Sequence, residues 1–598
     1  MSADSARCWV PCVDSLWERH AWDFEFVVPK SLGGRMEEDM ETDSPMEVDD
    51  EEVSVVVLCT GELVEKLAHP HDSRKTIFVY TQSAPTSVQH VAFAIGPFQE
   101  HTIPIDPPSE TSQTDSSGLT VASKTPMRVY CLPGLEAQLS ATTSFYRSAM
   151  NFFTSEYGSY PFASHKLVFV DELSAPRFEA ATMSIVSNYI LHGDDAIEQV
   201  YDSRQSLSHA LACQWVGINI IPKTWADVWL VNGLGLYITA LFLRRLFGNN
   251  EYRFRLRRDM DRVVRQDTGT MPPLCCPNAL EPPDGAVLSF VNVKAPLVLY
   301  ILDRRLAKSG TALGLSRVLP KIFLSAISGE MTNNTISTHS FLRTCRKVSA
   351  VDVRSFSDQW IYGSGCPLFS FHATFNKKKM AVELYMTQVC PAYQANEGDP
   401  IRVALLKPVQ TFEVCVIRLT SLHLSSPCGA HVFLVNQGTL TVRIHEADGT
   451  PYEHVLDIRS DQKKYEILFN TKYKRVRRNT KRYLARKAAA AAAEAGDAEA
   501  AEALDMIDTG FELREWENEA RRTYWMVSDW TEEDEALMNG AAYEWIRLDA
   551  DFEWISSIMF EQPDYMWVSQ LQRDRDVVAQ IEVSHNHISP RLPHSLYS

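Results

Sequence analysis

The sequence predicts a multidomain α+β protein, and three observations predict it. At 598 residues, 45% of them hydrophobic, the chain exceeds one ordinary domain and has apolar side chains enough for several cores. Short alternating segments fill the amino-terminal part and recur towards the carboxyl end, whereas long apolar-periodic segments occupy the interval between them. A run punctuated by glycine and proline, Gln359-Trp360-Ile361-Tyr362-Gly363-Ser364-Gly365-Cys366-Pro367, separates the second texture from the third.

In residues 1–133 the segments Asp23 to Pro29, Val53 to Leu58, Thr76 to Tyr80 and His90 to Ile95 read as strands, the first with Phe24, Phe26 and Val28 at every second position. Between them, residues 37–52 hold ten acids and no Lys or Arg, and a solvated, disordered insertion is expected there. Pro107 to Gly118, rich in Ser, Thr and Pro, reads as a loop. In 134–362 amphipathic helices are expected at Leu139 to Tyr157, Gln205 to Val216, Val228 to Leu246, Glu251 to Val264 and Ala295 to Lys308, with a strand at Lys166 to Val170. Alternation returns in 363–560, at Phe369 to Phe375, Met380 to Gln388, Thr411 to Ile417, Leu440 to Ile444, Tyr543 to Leu548 and Trp554 to Phe560, as in a β-sandwich. This module is interrupted at 472–540 by a segment that opens basic, passes through the low-complexity run Ala488 to Ala493 and turns acidic. Finally, Gln570 to Glu582 reads as the first helix of a further domain, 561–598.

Twelve cysteines are scattered without a framework pattern, and no CxxC pair points to a structural zinc site, so a reducing compartment is expected. Met1-Ser2-Ala3-Asp4-Ser5 lacks a basic, then apolar, export signal, which favours nucleus or cytosol. The most apolar stretch, about Val228 to Leu243, is broken by Asn232 and glycines and falls short of the ~20 residues a bilayer requires; no membrane association is expected. The formal net charge of −18 argues against general coating of nucleic acid. Lys472 to Lys487 is the local exception. Lys472, Lys474, Arg475, Arg477, Arg478, Lys481, Arg482, Arg486 and Lys487 stand there without an acid, with Tyr473 and Tyr483 interleaved. Such a tract fits a nuclear-import signal, a phosphate-contacting loop, or a solvated loop balanced by nearby acids.

One spacing speaks to chemistry. His209-Ala210-Leu211-Ala212-Cys213, followed nineteen residues later by Asn232, occupies the frame of an HExxH…E zinc site. There, two histidines share one helix face, a later glutamate completes the metal, and the inner glutamate activates water. Here only His209 remains of that set. Cys213 offers a thiol, Asn232 a neutral amide, and Ala210 no base at all.

The surroundings carry a resemblance. Leu207 to Gly217 and Trp225-Ala226-Asp227-Val228-Trp229-Leu230-Val231-Asn232-Gly233 resemble the zinc-helix block of the gluzincin aminopeptidases, the family of aminopeptidase N. Phe178 to Ile185 falls where that family has GAMEN, with Ser184 at the glutamate that binds a substrate's amino terminus. Asn292-Val293-Lys294-Ala295 resembles Tyr-x-Lys-Gly, with Asn292 at the oxyanion-stabilising tyrosine. The resemblance implies a partial aminopeptidase-like β saddle, a thermolysin-like α/β pseudo-catalytic domain, the β-sandwich and the start of a helical-repeat domain. It also implies a chain that begins inside the first of these. A truncated gene model, a fragment and a divergent short form are alike compatible with that.

Further stretches, among them Arg7 to Asp14, Phe93 to Phe98, Gly248 to Arg253, Phe560 to Trp567 and Arg575 to Gln580, resemble a catalytically degenerate branch of that family found among the TBP-associated factors of the general transcription factor TFIID. The resemblance implies a nuclear, cofactor-free, metal-free scaffold whose partners are TBP, other TBP-associated factors and core-promoter DNA near the initiator. Two alternatives stand beside it. One is a divergent zinc aminopeptidase using His209, Cys213 and a further ligand; the other is a pseudoenzyme that keeps the old cleft for a peptide.

Overall fold

A computed structural model describes residues 6–32, 53–105, 124–267, 271–308, 314–389, 436–446, 451–469, 543–574 and 576–588. The acidic run 37–52, the loop Pro107 to Gly118, the strand expected at Thr411 to Ile417, the basic tract Lys472 to Lys487 and the rest of 472–540 lie outside the described residues. The chain divides into two compact units after Ser364, inside the Gly/Pro-punctuated run.

The first unit begins with β1 (Arg19–Pro29), β2 (Val56–Cys59), β3 (Glu62–Ala68), β4 (Lys75–Ser87) and β5 (Phe93–Gly96). An antiparallel sheet runs β1-β4-β3, and β2 pairs with β5. The alternation in β1 turns Phe24, Phe26 and Val28 towards a small core with Val57, Cys59, Phe78 and Tyr80, where the Tyr80 hydroxyl donates to the Val57 carbonyl at 2.7 Å. Two strands depart from the sequence reading. The segment expected at Thr76 to Tyr80 continues to Ser87, and β3 gave no period-2 signal because Leu63, Val64 and Leu67 are all exposed on this edge strand.

A mixed sheet follows in the order β9-β10-β8-β7-β6, from β6 (Gln99–Thr102), β7 (Met127–Cys131), β8 (His165–Val170), β9 (Arg177–Ala180) and β10 (Met183–Ser187). Since β7 pairs in parallel with β8, this sheet starts before the change of texture at Gly134, which takes φ +87 as the chain leaves β7.

The helices are α1 (Glu136–Thr143), α2 (Tyr146–Tyr157), α3 (Glu198–Trp215), α4 (Val228–Phe247), α5 (Asn249–Gln266), α6 (Gly285–Ala307), α7 (Leu315–Ile327), α8 (Thr338–Ser349) and α9 (Arg354–Trp360). The single helix expected at Leu139 to Tyr157 is two. In the run Thr142-Thr143-Ser144, the Thr143 and Ser144 hydroxyls turn back onto the Leu139 and Ala141 carbonyls, and the Thr142 hydroxyl leaves for the His192 carbonyl. The helix expected from Ala295 begins ten residues earlier, with Asp284 accepting from the Ala286 N–H at its cap. Pro296 lies inside it and has no N–H to give the Asn292 carbonyl. By length and composition α4 and α6 could each cross a bilayer. In the fold they pack on one another, with Gly233 of α4 against Ala295 of α6.

The second unit holds two sheets, ordered β15-β12-β11-β17 and β14-β13-β16, from β11 (Leu368–Asn376), β12 (Ala381–Val389), β13 (Gly438–Glu446), β14 (Pro451–Ile458), β15 (Gln462–Leu468), β16 (Tyr543–Leu548) and β17 (Ser557–Glu561). Trp554 bridges them: its ring meets Phe369 of β11 edge-on at 5.2 Å, and its indole N–H donates to the Thr439 carbonyl of β13 at 2.9 Å. Trp554 was expected in a strand but lies in the loop before β17. The helix expected at Gln570 to Glu582 is also two, α10 (Asp564–Arg573) and α11 (Val577–Ile588). The break has a cause. Arg547, buried in β16, draws in Asp574, Asp576 and Glu582 at 3.5, 3.0 and 3.3 Å, and Asp576 accepts from the Val578 N–H at the start of α11.

Candidate functional site

The residues of the zinc frame come from three helices and one hairpin of the first unit. Helix α3 buries Leu207, Ala210, Leu211, Gln214 and Trp215 and so leaves His209 and Cys213, one turn apart, on its flank towards the β9–β10 hairpin. That hairpin is set by strict alternation. Phe178, Ala180, Met183 and Ile185 face an apolar cluster with Val168 and Tyr130, which turns Arg177, Glu179 and Ser184 to the other face; Glu179 and Ser184 stand directly opposite across the strands. Gln214 fastens helix to hairpin. Its carbonyl oxygen accepts from the Thr182 N–H at 3.1 Å and its amide donates to the Ala180 carbonyl at 3.0 Å, at a turn where Thr182 takes φ +65.

At the centre of this arrangement is a residue the motif reading passed over. The Arg177 guanidinium donates to His209 Nδ1 and, at 2.6 Å, to the Ser206 carbonyl, and it pairs with Glu179 at 2.5 Å. A guanidinium only donates, so His209 Nδ1 accepts, and the ring's single proton sits on Nε2, 3.6 Å from the Cys213 sulfur. Burial, and then the Arg177 charge, hold the His209 pKa well below its ordinary value of 6.5. Burial foremost pushes the Cys213 thiol up, with Glu179 adding to the rise. The neutral ring and thiol are therefore the stable forms at neutral pH. Alternation in β9 carried the signal for Arg177: a cation and an acid two residues apart, on the face away from Phe178 and Ala180.

The other frame residues sit apart from this pair. Asn232 of α4 donates its amide to the Asn292 carbonyl oxygen on α6 at 3.0 Å. Ala210 is fully buried in the core. Ser184 is fully buried too, and its hydroxyl has no hydrogen-bond partner among the described residues. Lys294, two residues beyond Asn292, forms a buried ion pair with Asp267 at 2.5 Å. Asp227, the acid of Trp-x-Asp-x-Trp, accepts from the Thr338 N–H and hydroxyl at 2.7 and 2.8 Å, while Trp229 donates to that same hydroxyl at 3.0 Å. These landmarks thus dock the start of α4 on the start of α8.

A zinc ion of the kind the frame implies does not fit these groups. The His209 lone pair is taken by Arg177, its other nitrogen carries a proton, and the Cys213 thiol is stabilised in its protonated form. The Asn232 amide is engaged by Asn292. Among the described residues no three His, Cys, Asp or Glu side chains are placed to hold a metal, and the one fixed cation beside His209 is a guanidinium.

Two family models match the chain, a peptidase family M1 domain at residues 142–360 and a TAF2 Ig-like domain at residues 364–563. Transcription initiation factor TFIID subunit 2 of Schizosaccharomyces pombe is 38% identical to it over 97% of this chain and 49% of its own length. The chain is related to TFIID subunit 2 along nearly its whole length. The TFIID subunit 2 of Saccharomyces cerevisiae is 28% identical, over 97% of this chain and 47% of its own. The chain thus spans about half the length of the TFIID subunit 2 relatives it matches. Its fold is aminopeptidase-like: a crystal structure of Legionella pneumophila aminopeptidase A in complex with aspartic acid matches 90% of this chain and 46% of that one, with a TM-score of 0.56 at 13% identity. The M1 match takes in Ser184, His209, Asn232 and Asn292 together, and the TFIID subunit 2 relationship runs through the same residues.

Proposed function

We propose that this chain is a non-catalytic subunit of the general transcription factor TFIID, a nuclear scaffold that works with TBP and other TBP-associated factors at core-promoter DNA near the initiator during RNA polymerase II preinitiation complex assembly. The observation that carries the reading is the relationship to TFIID subunit 2 over 97% of the chain. The cleft supports its non-catalytic half. Water activation needs a positioned proton acceptor and a polarising metal; Ala210 supplies no acceptor, and Arg177, His209 and Cys213 satisfy one another. In this reading residues 134–362 are a degenerate thermolysin-like domain, 363–560 a β-sandwich with its 472–540 insertion, 561–598 the opening of a helical domain, and 1–133 part of a β saddle. The tract from Lys472 to Lys487 serves import or phosphate contact, and no cofactor is required. Affinity purification of the tagged chain from nuclear extract, followed by mass spectrometry, tests the assignment. TBP and its associated factors are expected in stoichiometric recovery; purification as a lone cytosolic protein would overturn it.

A further inference from the structure

Helix α5 carries six arginines, Arg253, Arg255, Arg257, Arg258, Arg262 and Arg265, against Glu251, Asp259 and Asp261, in a chain whose formal net charge is −18. Leu256, Met260 and Val263 form its buried seam. Two of the arginines are spent inside the fold. Arg255 pairs with Glu251 at 2.7 Å and lies 3.7 Å over the Tyr201 ring, and Arg257 pairs with Asp261 at 3.1 Å. Three others are not. Arg258, Arg262 and Arg265 are exposed; the first has only Asp259 at 3.9 Å, and the other two make no ion pair or hydrogen bond among the described residues.

With Phe254, also exposed, they follow one another at intervals of four, four and three residues, which is one face of an α-helix. Like charges four apart cost a helix a few tenths of a kcal/mol per pair (~0.2–0.5), so the row does not stabilise the free protein. Asp259, close enough to Arg258 and Arg262 for both charges to act on its carboxyl, offsets part of that cost, and an anion meeting the row offsets the rest. From Arg258 to Arg265 the row covers about 10 Å of axis, and each guanidinium presents a fork that suits phosphate oxygens. Phe254 is its sole exposed apolar side chain, too little for a folded peptide to pack on, so recognition here is by charge alone.

We propose that this outer face of α5 contacts the phosphate backbone of duplex DNA. The inference rests on the promoter-DNA part of the function proposed above and assigns to it a surface other than the tract Lys472 to Lys487. Binding of the full chain to a short mixed-sequence duplex, measured by fluorescence anisotropy across a salt series, tests it with the combined variant Arg258→Gln, Arg262→Gln, Arg265→Gln. Glutamine keeps helix propensity, and an unchanged melting temperature confirms an intact fold. The slope of log affinity against log salt should become shallower by about 2–3, and lysine at the same three positions should restore it. Binding with an unchanged slope would overturn the inference while leaving promoter engagement standing. Absence of DNA binding by the wild-type chain would end both. A peptide of residues 37–52 provides the remaining outcome: if the variant loses that peptide but keeps its DNA slope, the face serves an acidic segment and the proposal fails.

Discussion

At the scale of single residues, the flank of α3 that carries His209 and Cys213 is occupied by a tethered cation. Arg177 satisfies His209 and Glu179 without needing a deprotonated ligand set. Elsewhere in the first unit, Lys294 and Asp267 form a pair with side chains 1% and 0% exposed. Lys294→Met leaves that carboxylate buried without its cation, and equilibrium urea unfolding should show a loss of about 3–5 kcal/mol; Lys294→Met with Asp267→Leu should recover much of it. His165 gives a pH signature. It is buried with Tyr146 and Tyr160 hydroxyls on its two nitrogens at 2.8 and 3.0 Å, and burial pushes its pKa down from 6.5 to about 3. Between those values the unfolded chain binds a proton that the folded chain refuses, so stability is full above pH 6.5 and is lost as pH falls towards 3. A His165→Gln variant should be less stable at neutral pH yet lose less on acidification, as read from denaturation midpoints across that range.

At the scale of elements, the close approach of α4 to α6 depends on Gly233. A Cβ there would sit 2.8 Å from the Ala295 Cβ, so Gly233→Ala should destabilise by about 1–3 kcal/mol, and Ala295→Gly should restore part of the loss in the same unfolding measurement. The elements that could be read from the sequence are those whose pattern is decided locally: α3, α4 and α5 begin and end within a turn or two of expectation, and β16 matches residue for residue. The misses have tertiary causes. No local pattern announces that Arg547 will divide α10 from α11, that α6 will run through Pro296, or that β3 will pair while exposing its apolar side chains. The candidate site divides in the same way. Spacing located His209, Cys213 and Asn232, whereas Arg177 and the Asn232–Asn292 bond join parts of the chain 32 and 60 residues apart.

At the scale of the whole molecule, the fold is aminopeptidase-like, and within the first unit Arg177, His209 and Glu179, and Asn232 with Asn292, are committed to each other. The buried landmarks that made the family recognisable, Gln214, Trp215, Asp227 and Trp229, hold helices and hairpin together, which explains why the scaffold stays legible in the sequence. On this account the chain acts through its surfaces. The most direct test is zinc stoichiometry of the purified chain after equilibration with the metal, read together with aminopeptidase turnover. Substoichiometric zinc and turnover at background are expected for both wild type and His209→Ala; one bound zinc per chain with turnover abolished by His209→Ala would contradict a non-catalytic, metal-free site.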